Sequence, residues 1–224
     1  MNPTASVYLF VLDQVDPDSL APFLTVWRER YRTLFTSAMQ SASDWWIQRK
    51  LIGWALLDMA LQQETGILLT DCRIELLEHG KPVITNYPDV HFNLSHSKRY
   101  FLVGLSPEPI GVDIETERKI TPNLAEKVFT EREQKSLPSI EDPTYTQAFL
   151  HIWTKKESYT KALGIGYQGL WNQIETADLI DSFIWKTFSQ ENFVFSVCYH
   201  SPQILVLHPL MKWQELADFY QGKV

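Results

Sequence analysis

The chain has 224 residues, a formal charge of −7 and two cysteines. That length suits one large domain or two small halves of about 100 residues each, and the acidic balance argues against nucleic acid as a partner. No apolar run approaches the ~18 residues of a membrane span, so a cytoplasmic protein without membrane contact is expected, with Cys72 and Cys198 as reduced core thiols.

The apolar run Val7 to Leu12 lacks a basic flank and is followed by Asp13 and Asp16, so it reads as a first strand and not a leader. Asp18 to Leu34 carries Leu20, Phe23, Leu24 and Trp27 at helical spacing, with Pro22 in the first turn. Ser41-Ala42-Ser43-Asp44 has helix-start character, and Trp45 to Gln63 follows as an amphipathic helix that ends near Gly66. Cys72 to Leu77 alternates as a strand before the turn Glu78 to Pro82. Val90 to Leu94 and Tyr100 to Leu105 flank Ser95-His96-Ser97-Lys98-Arg99, a pattern that predicts a hairpin with a polar tip. Ile110 to Glu115 is a short strand. Leu124 to Phe129 and Glu131 to Leu137 look helical, and a longer helix from about Thr146 to Leu163 is stopped by Gly164 and Gly166. Phe183 to Phe188, Phe193 to Tyr199 and Ile204 to Leu207 alternate as strands, and Lys212 to Tyr220 is a last short helix. Strands and helices mix without a regular βαβ rhythm, which predicts an α+β fold.

Three segments carry chemistry. In the strand Ile110-Gly111-Val112-Asp113-Ile114-Glu115, alternation sends Val112 and Ile114 to the core and Asp113 and Glu115 together to the other face, with backbone positions about 6.8 Å apart. Two carboxylates so held repel unless a hard divalent cation sits between them; the bland alternative is a solvated acidic face. In the helix Phe149 to Gly164 the apolar stripe Phe149, Ile152, Tyr159, Leu163 contains Lys156, whose ammonium must reach an anion, while Glu157 and Lys161 stand as an i,i+4 pair beside it. At the hairpin tip, His96 between Ser95 and Ser97, next to Lys98 and Arg99, offers several donors to a phosphate.

Taken together, Gly80-Lys81-Pro82, Phe92-Asn93-Leu94-Ser95-His96-Ser97, Gly111-Val112-Asp113-Ile114-Glu115 and Trp153-Thr154-Lys155-Lys156-Glu157-Ser158-Tyr159-Thr160-Lys161-Ala162-Leu163-Gly164 resemble, in order and spacing, the surfactin-type 4′-phosphopantetheinyl transferases. The resemblance implies a pseudo-dimer of two similar α+β halves, residues 1–107 on the nucleotide side and residues 108–224 on the metal and carrier side, with coenzyme A in the cleft between them. It implies transfer of 4′-phosphopantetheine from coenzyme A to a serine of an acyl, peptidyl or polyketide carrier protein of fatty-acid, polyketide or nonribosomal peptide synthesis, with release of 3′,5′-ADP, by a monomer. Asp113, Glu115 and Glu157 match the ligands of Mg²⁺, with Mn²⁺ as the other candidate. Ser95, His96 and Arg49 match contacts to the 3′-phosphate, Lys81 and Pro82 approach the nucleotide, and Lys156 and Lys161 match lysines near the diphosphate. Glu133 matches a second acidic position, and Glu157, Glu133 or a metal-bound water would take the serine proton. The segment Thr116 to Thr130, with Arg118, Lys119, Ile120, Leu124 and Phe129, is expected to help dock the carrier. The pattern departs from the family upstream of Arg49, where Arg28, Arg30 and Arg32 are followed by a longer stretch, Thr33 to Asp44. A Mg²⁺-dependent phosphodiesterase or diphosphate hydrolase, and a non-catalytic coenzyme A or carrier-binding module, are the alternatives.

Overall fold

A computed structural model describes residues 3–13, 15, 17–32, 43–121, 123–166, 171–176 and 182–222. Most of the stretch Thr33 to Asp44 lies outside them.

Two antiparallel hairpins and two long helices build the frame. Strands β4 (His91–Ser97) and β5 (Tyr100–Ser106) pair antiparallel through the turn Lys98-Arg99, where Lys98 takes a positive φ of 49°. Strand β1 (Thr4–Val11) pairs antiparallel with β5. Beside it, β6 (Gly111–Thr116) pairs antiparallel with β8 (Phe193–His200), and β8 with β7 (Phe183–Gln190), as a second, three-stranded sheet. A short hairpin, β2 (Ile74–Leu76) with β3 (Pro82–Ile84), stands apart from both. The sheets and helices mix as the α+β reading requires.

Both faces of β1 are covered, which is why its sequence is apolar without alternation. Tyr8 and Phe10 join the core under helix α2 (Asp44–Thr65), and Val7, Leu9 and Val11 pack with Val112, Ile114, Phe195 and Val197 of the second sheet. Helix α2 starts where Ser43 accepts from the backbone of Trp46 and ends at Gly66 in the left-handed region. Its Asp58 is fully buried and accepts from Tyr31 Oη, Tyr220 Oη and the Leu69 backbone, which ties it to α1 (Pro17–Arg30) and to the chain's last helix.

The expected division at residue 107 does not separate the packing. Strands β9 (Ile204–Leu207) and β10 (Met211–Lys212) run parallel to β1, and the last helix, Trp213–Tyr220, packs on α2. Residues 204–220 thus belong to the first sheet and its core, because β1 has a free edge that β5 leaves open. Cys72 and Cys198 are free thiols, as expected. Among the described residues no helix is long and apolar enough to cross a membrane.

Helices α3 (Leu124–Val128) and α4 (Glu131–Ser136) lead into α5 (Tyr145–Leu163), which lies across β6. The contact is backbone on backbone at Gly111. A Cβ there would sit 1.8 Å from the Ser158 carbonyl oxygen and 2.4 Å from the Ala162 nitrogen. Gly111→Ala must therefore lift the helix off the strand. We expect a loss of about 3 kcal/mol, the upper end of ordinary overpacking, seen as a fall of roughly 6–12 °C in melting temperature. A variant that melts with the wild type would show that this approach is looser than described.

Candidate active site

The edges of the two sheets meet where β4 faces β6, and side chains join them. The backbone N–H groups of Val112, Ile114 and Thr116 donate to Asn93 Oδ1 at 2.9 Å, Ser95 Oγ at 3.3 Å and Ser97 Oγ at 3.1 Å. The period of two in both strands makes every rung equivalent, which accounts for the spacing of Asn93, Ser95 and Ser97 in the sequence.

A cavity of about 350 Å³ opens at this seam. Asp113 and Glu115 enter it from β6, and Glu157 and Lys161, one turn apart on α5, from the facing helix. Arg49 and Lys50 of α2 and His96 of β4 line it too, with Pro82 and Ser95.

Lys161 Nζ donates to Asp113 Oδ1 at 2.6 Å and to Ser95 Oγ at 3.2 Å. Burial disfavours the charge on Lys161, but Asp113, Glu157 and Glu115 outweigh it and its pKa rises. Burial, and then the neighbouring Asp113, raise the Glu115 carboxyl; Arg118 counters from 3.6 Å while lying over the Trp153 ring. The Glu157 carboxyl is pushed up to about 7 by burial, with Lys161 opposing and Asp113 and Glu115 adding to it. Desolvation and then Arg49 hold the His96 imidazole down to about 4, so it is neutral at physiological pH. Arg49 stacks on the exposed Trp45 ring, 3.7 Å from its centroid, and donates to the Lys98 carbonyl.

The carboxylates fit a hard cation by donor type. All are oxygen ligands, their mutual repulsion calls for positive charge, and Asp113 Oδ2 is buried with no hydrogen-bond partner among the described residues. They do not stand as a closed cage: among the described residues no three His, Cys, Asp or Glu side chains lie at metal spacing. Lys161 is the cation that Asp113 holds here.

Three residues singled out from the sequence lie elsewhere. Lys156 is fully buried, and its ammonium meets Glu133 Oε2 at 2.7 Å and donates to the carbonyls of Ile174, at 2.6 Å, and Trp171. Glu133, 4% exposed, closes the capping box of α4 with Thr130 and accepts from Thr176 Oγ1 at 2.7 Å. The anion that Lys156 requires is thus internal, and neither residue lines the cavity. Lys81 turns to the end of α5, donating to the carbonyl of Ala162 at 2.8 Å and of Ile110 at 3.4 Å, and burial brings its pKa down to about 8. The expected docking segment also divides: Ile120 and Phe129 are in a core cluster, while Arg118 and Lys119 are exposed, because the short α3 needs apolar anchors of its own.

Sequence reasoning gave Asn93 no role of its own, although the alternation Asn93, Ser95, Ser97 was a readable signal for it.

Residues 109–207 match the family model described as the 4′-phosphopantetheinyl transferase superfamily. The chain is similar to 4′-phosphopantetheinyl transferase Sfp of Bacillus subtilis (strain 168), 35% identical over 118 residues, which is 53% of each protein. It is similar to 4′-phosphopantetheinyl transferase gsp of Aneurinibacillus migulanus, 36% identical over 118 residues, 53% of this chain and 49% of that one. The human L-aminoadipate-semialdehyde dehydrogenase-phosphopantetheinyl transferase is 28% identical over 130 residues, 52% of this chain and 42% of its own. The chain spans about half the length of the curated relatives it matches.

Proposed function

We propose that the chain, whose residues 109–207 match the 4′-phosphopantetheinyl transferase superfamily, belongs to that family and transfers 4′-phosphopantetheine from coenzyme A to a serine hydroxyl of a carrier protein of fatty-acid, polyketide or nonribosomal peptide synthesis. The observation that carries this reading is one cavity lined by Asp113, Glu115, Glu157 and Lys161 together with Arg49 and His96.

Asp113, Glu115 and Glu157 would hold Mg²⁺, or Mn²⁺ in its place. Bound there, the ion neutralises charge on the diphosphate oxygens. Lys161 leaves the carboxylates for the diphosphate and offsets charge on the leaving group. Arg49 and the neutral His96 donate to the 3′-phosphate. The serine oxygen forms a bond to the β-phosphorus as the bond to the bridging oxygen breaks, and 3′,5′-ADP departs with that oxygen. Of the two acids considered for the serine proton, Glu157 faces the cavity and Glu133 is sealed behind Lys156, so Glu157 accepts it. We read the fold as a pseudo-dimer of two α+β halves that meet at this cavity, active as a cytoplasmic monomer.

Incubating the full chain with coenzyme A, Mg²⁺ and an apo-carrier tests the reading by mass spectrometry. The carrier should gain the mass of one phosphopantetheine. Free phosphopantetheine without a carrier shift would make the protein a hydrolase, and neither product would make it a binding module; either result overturns the proposal.

A further expectation comes from Glu157. Its folded pKa of about 7 lies above the usual 4.5, so the folded chain keeps a proton there that the unfolded chain releases. Stability from this group is therefore present below 4.5 and is lost as pH rises toward 7. A divalent cation offsets the loss only where the carboxyl is ionised. Adding Mg²⁺ should raise the melting temperature more at about pH 8 than at about pH 5.5. Equal rises at both would separate Glu157 from the metal.

A further inference from the structure

The hydroxyl of Ser95 has no capacity left. It accepts from the Ile114 backbone N–H at 3.3 Å and from Lys161 Nζ at 3.2 Å, and it donates its proton to Asp113 Oδ1 at 2.9 Å. A hydroxyl offers one donor and two acceptor sites, so all three are used. Ser97 repeats the arrangement two residues on. It accepts from the Thr116 N–H at 3.1 Å and lies 3.3 Å from Glu115 Oε2 and 3.1 Å from Thr116 Oγ1. Each serine touches a backbone N–H of β6 and the carboxylate next to it.

We propose that Ser95 and Ser97 are positioning residues: they reach across from β4 and aim the Asp113 and Glu115 carboxylates into the cavity. The inference rests on the metal reading above and assigns Ser95 a role different from the phosphate contact that family resemblance implies. Physical economy favours it. Asp113 is 4% exposed, and its Oδ1 takes Ser95 and Lys161 while Oδ2 has no partner among the described residues, so the hydroxyl fixes which oxygen stays open for another ligand. The hydroxyl is itself fixed by the rung to Ile114, so the carboxylate's aim is set by the register of β4 against β6. Asn93, the third rung, accepts from Val112 at 2.9 Å and holds that register where there is no carboxylate to aim.

The test compares wild type, Ser95→Ala and Ser95→Thr as full chains. Mg²⁺ is titrated into each by calorimetry without coenzyme A, and transfer is then measured with coenzyme A and with its 3′-dephospho form. Partners that orient a metal ligand are worth roughly 10–100-fold in metal affinity. Ser95→Ala should weaken Mg²⁺ by about that factor, Ser95→Thr should restore it, and the loss of kcat should be the same with both cosubstrates. Unchanged Mg²⁺ affinity in Ser95→Ala, or a loss confined to KM for coenzyme A and absent with the 3′-dephospho form, overturns the proposal. Should Ser95→Ala fail to fold by circular dichroism, Ser97→Ala must show the weakened Mg²⁺ binding, and wild-type affinity there overturns it equally. Wild type that transfers but binds no Mg²⁺ would instead defeat the metal reading, and this inference with it.

Discussion

Replacing Asp113 by alanine is expected to reduce transfer at least about 1,000-fold while leaving the melting temperature within about 4 °C of wild type. The activity loss follows from charge. Asp113 shares the cavity with Glu115 and Glu157 and is the group to which Lys161 is held at 2.6 Å. Stabilising a transferring phosphoryl group by a bound cation is worth several kcal/mol, and each 1.36 kcal/mol is a factor of ten. The small stability change follows from the same geometry. A buried carboxylate with one oxygen that has no partner among the described residues is costly to the fold, and Lys161 keeps Glu157 and Glu115 as charge partners when Asp113 is gone. The measurement is the carrier mass shift run beside a thermal melt. Wild-type turnover by Asp113→Ala would remove this residue from the chemistry, and a variant that does not fold would show it to be structural.

Lys156→Ala should act in the opposite way, through the fold. Lys156 and Glu133 are a buried ion pair, 0% and 4% exposed, whose remaining hydrogen bonds go to the backbone of residues 171–176 and to Thr130 and Thr176. Removing one partner strands the other charge in the core. The cost is about 3–5 kcal/mol, or roughly 6–20 °C in melting temperature. Burial already lowers the Lys156 pKa, with Glu133 opposing the shift, so the pair is held together against desolvation. The double variant Lys156→Met with Glu133→Leu removes both charges and should recover most of the loss, since an apolar replacement of a buried pair is often neutral. Mg²⁺ affinity should be unchanged in the double variant. Were Lys156→Ala to melt like the wild type yet fail in transfer, Lys156 would act on substrate after all.

The contrast between these residues shows how far local sequence reaches. The alternation Val112, Asp113, Ile114, Glu115 placed two carboxylates on one face, and β6 has that face in the cavity with Val112 and Ile114 in the core. Helical spacing put Glu157 and Lys161 one turn apart, and both line the same space. The ends of α2 and α5 followed from Ser43, Gly66 and Gly164, whose capping geometry depends on neighbours in the chain.

Partner choice did not follow. Periodicity required that Lys156 find an anion, yet whether that anion was a ligand or Glu133 depends on how α4 and residues 171–176 fold against α5. Lys81 was aimed at a nucleotide by its place in a motif, but the carbonyls at the end of α5 take it. The return of residues 204–212 to β1 joins segments nearly the whole chain apart, and no local pattern encodes it.

By itself, then, the amino-acid order determined the elements and the side of each element on which a charge stands, because helical and extended backbones repeat at fixed periods. Tertiary structure alone decided which charges share a cavity and which are spent on one another. That choice is made by contacts between distant segments, where a buried ammonium takes whichever oxygen the packing brings within reach.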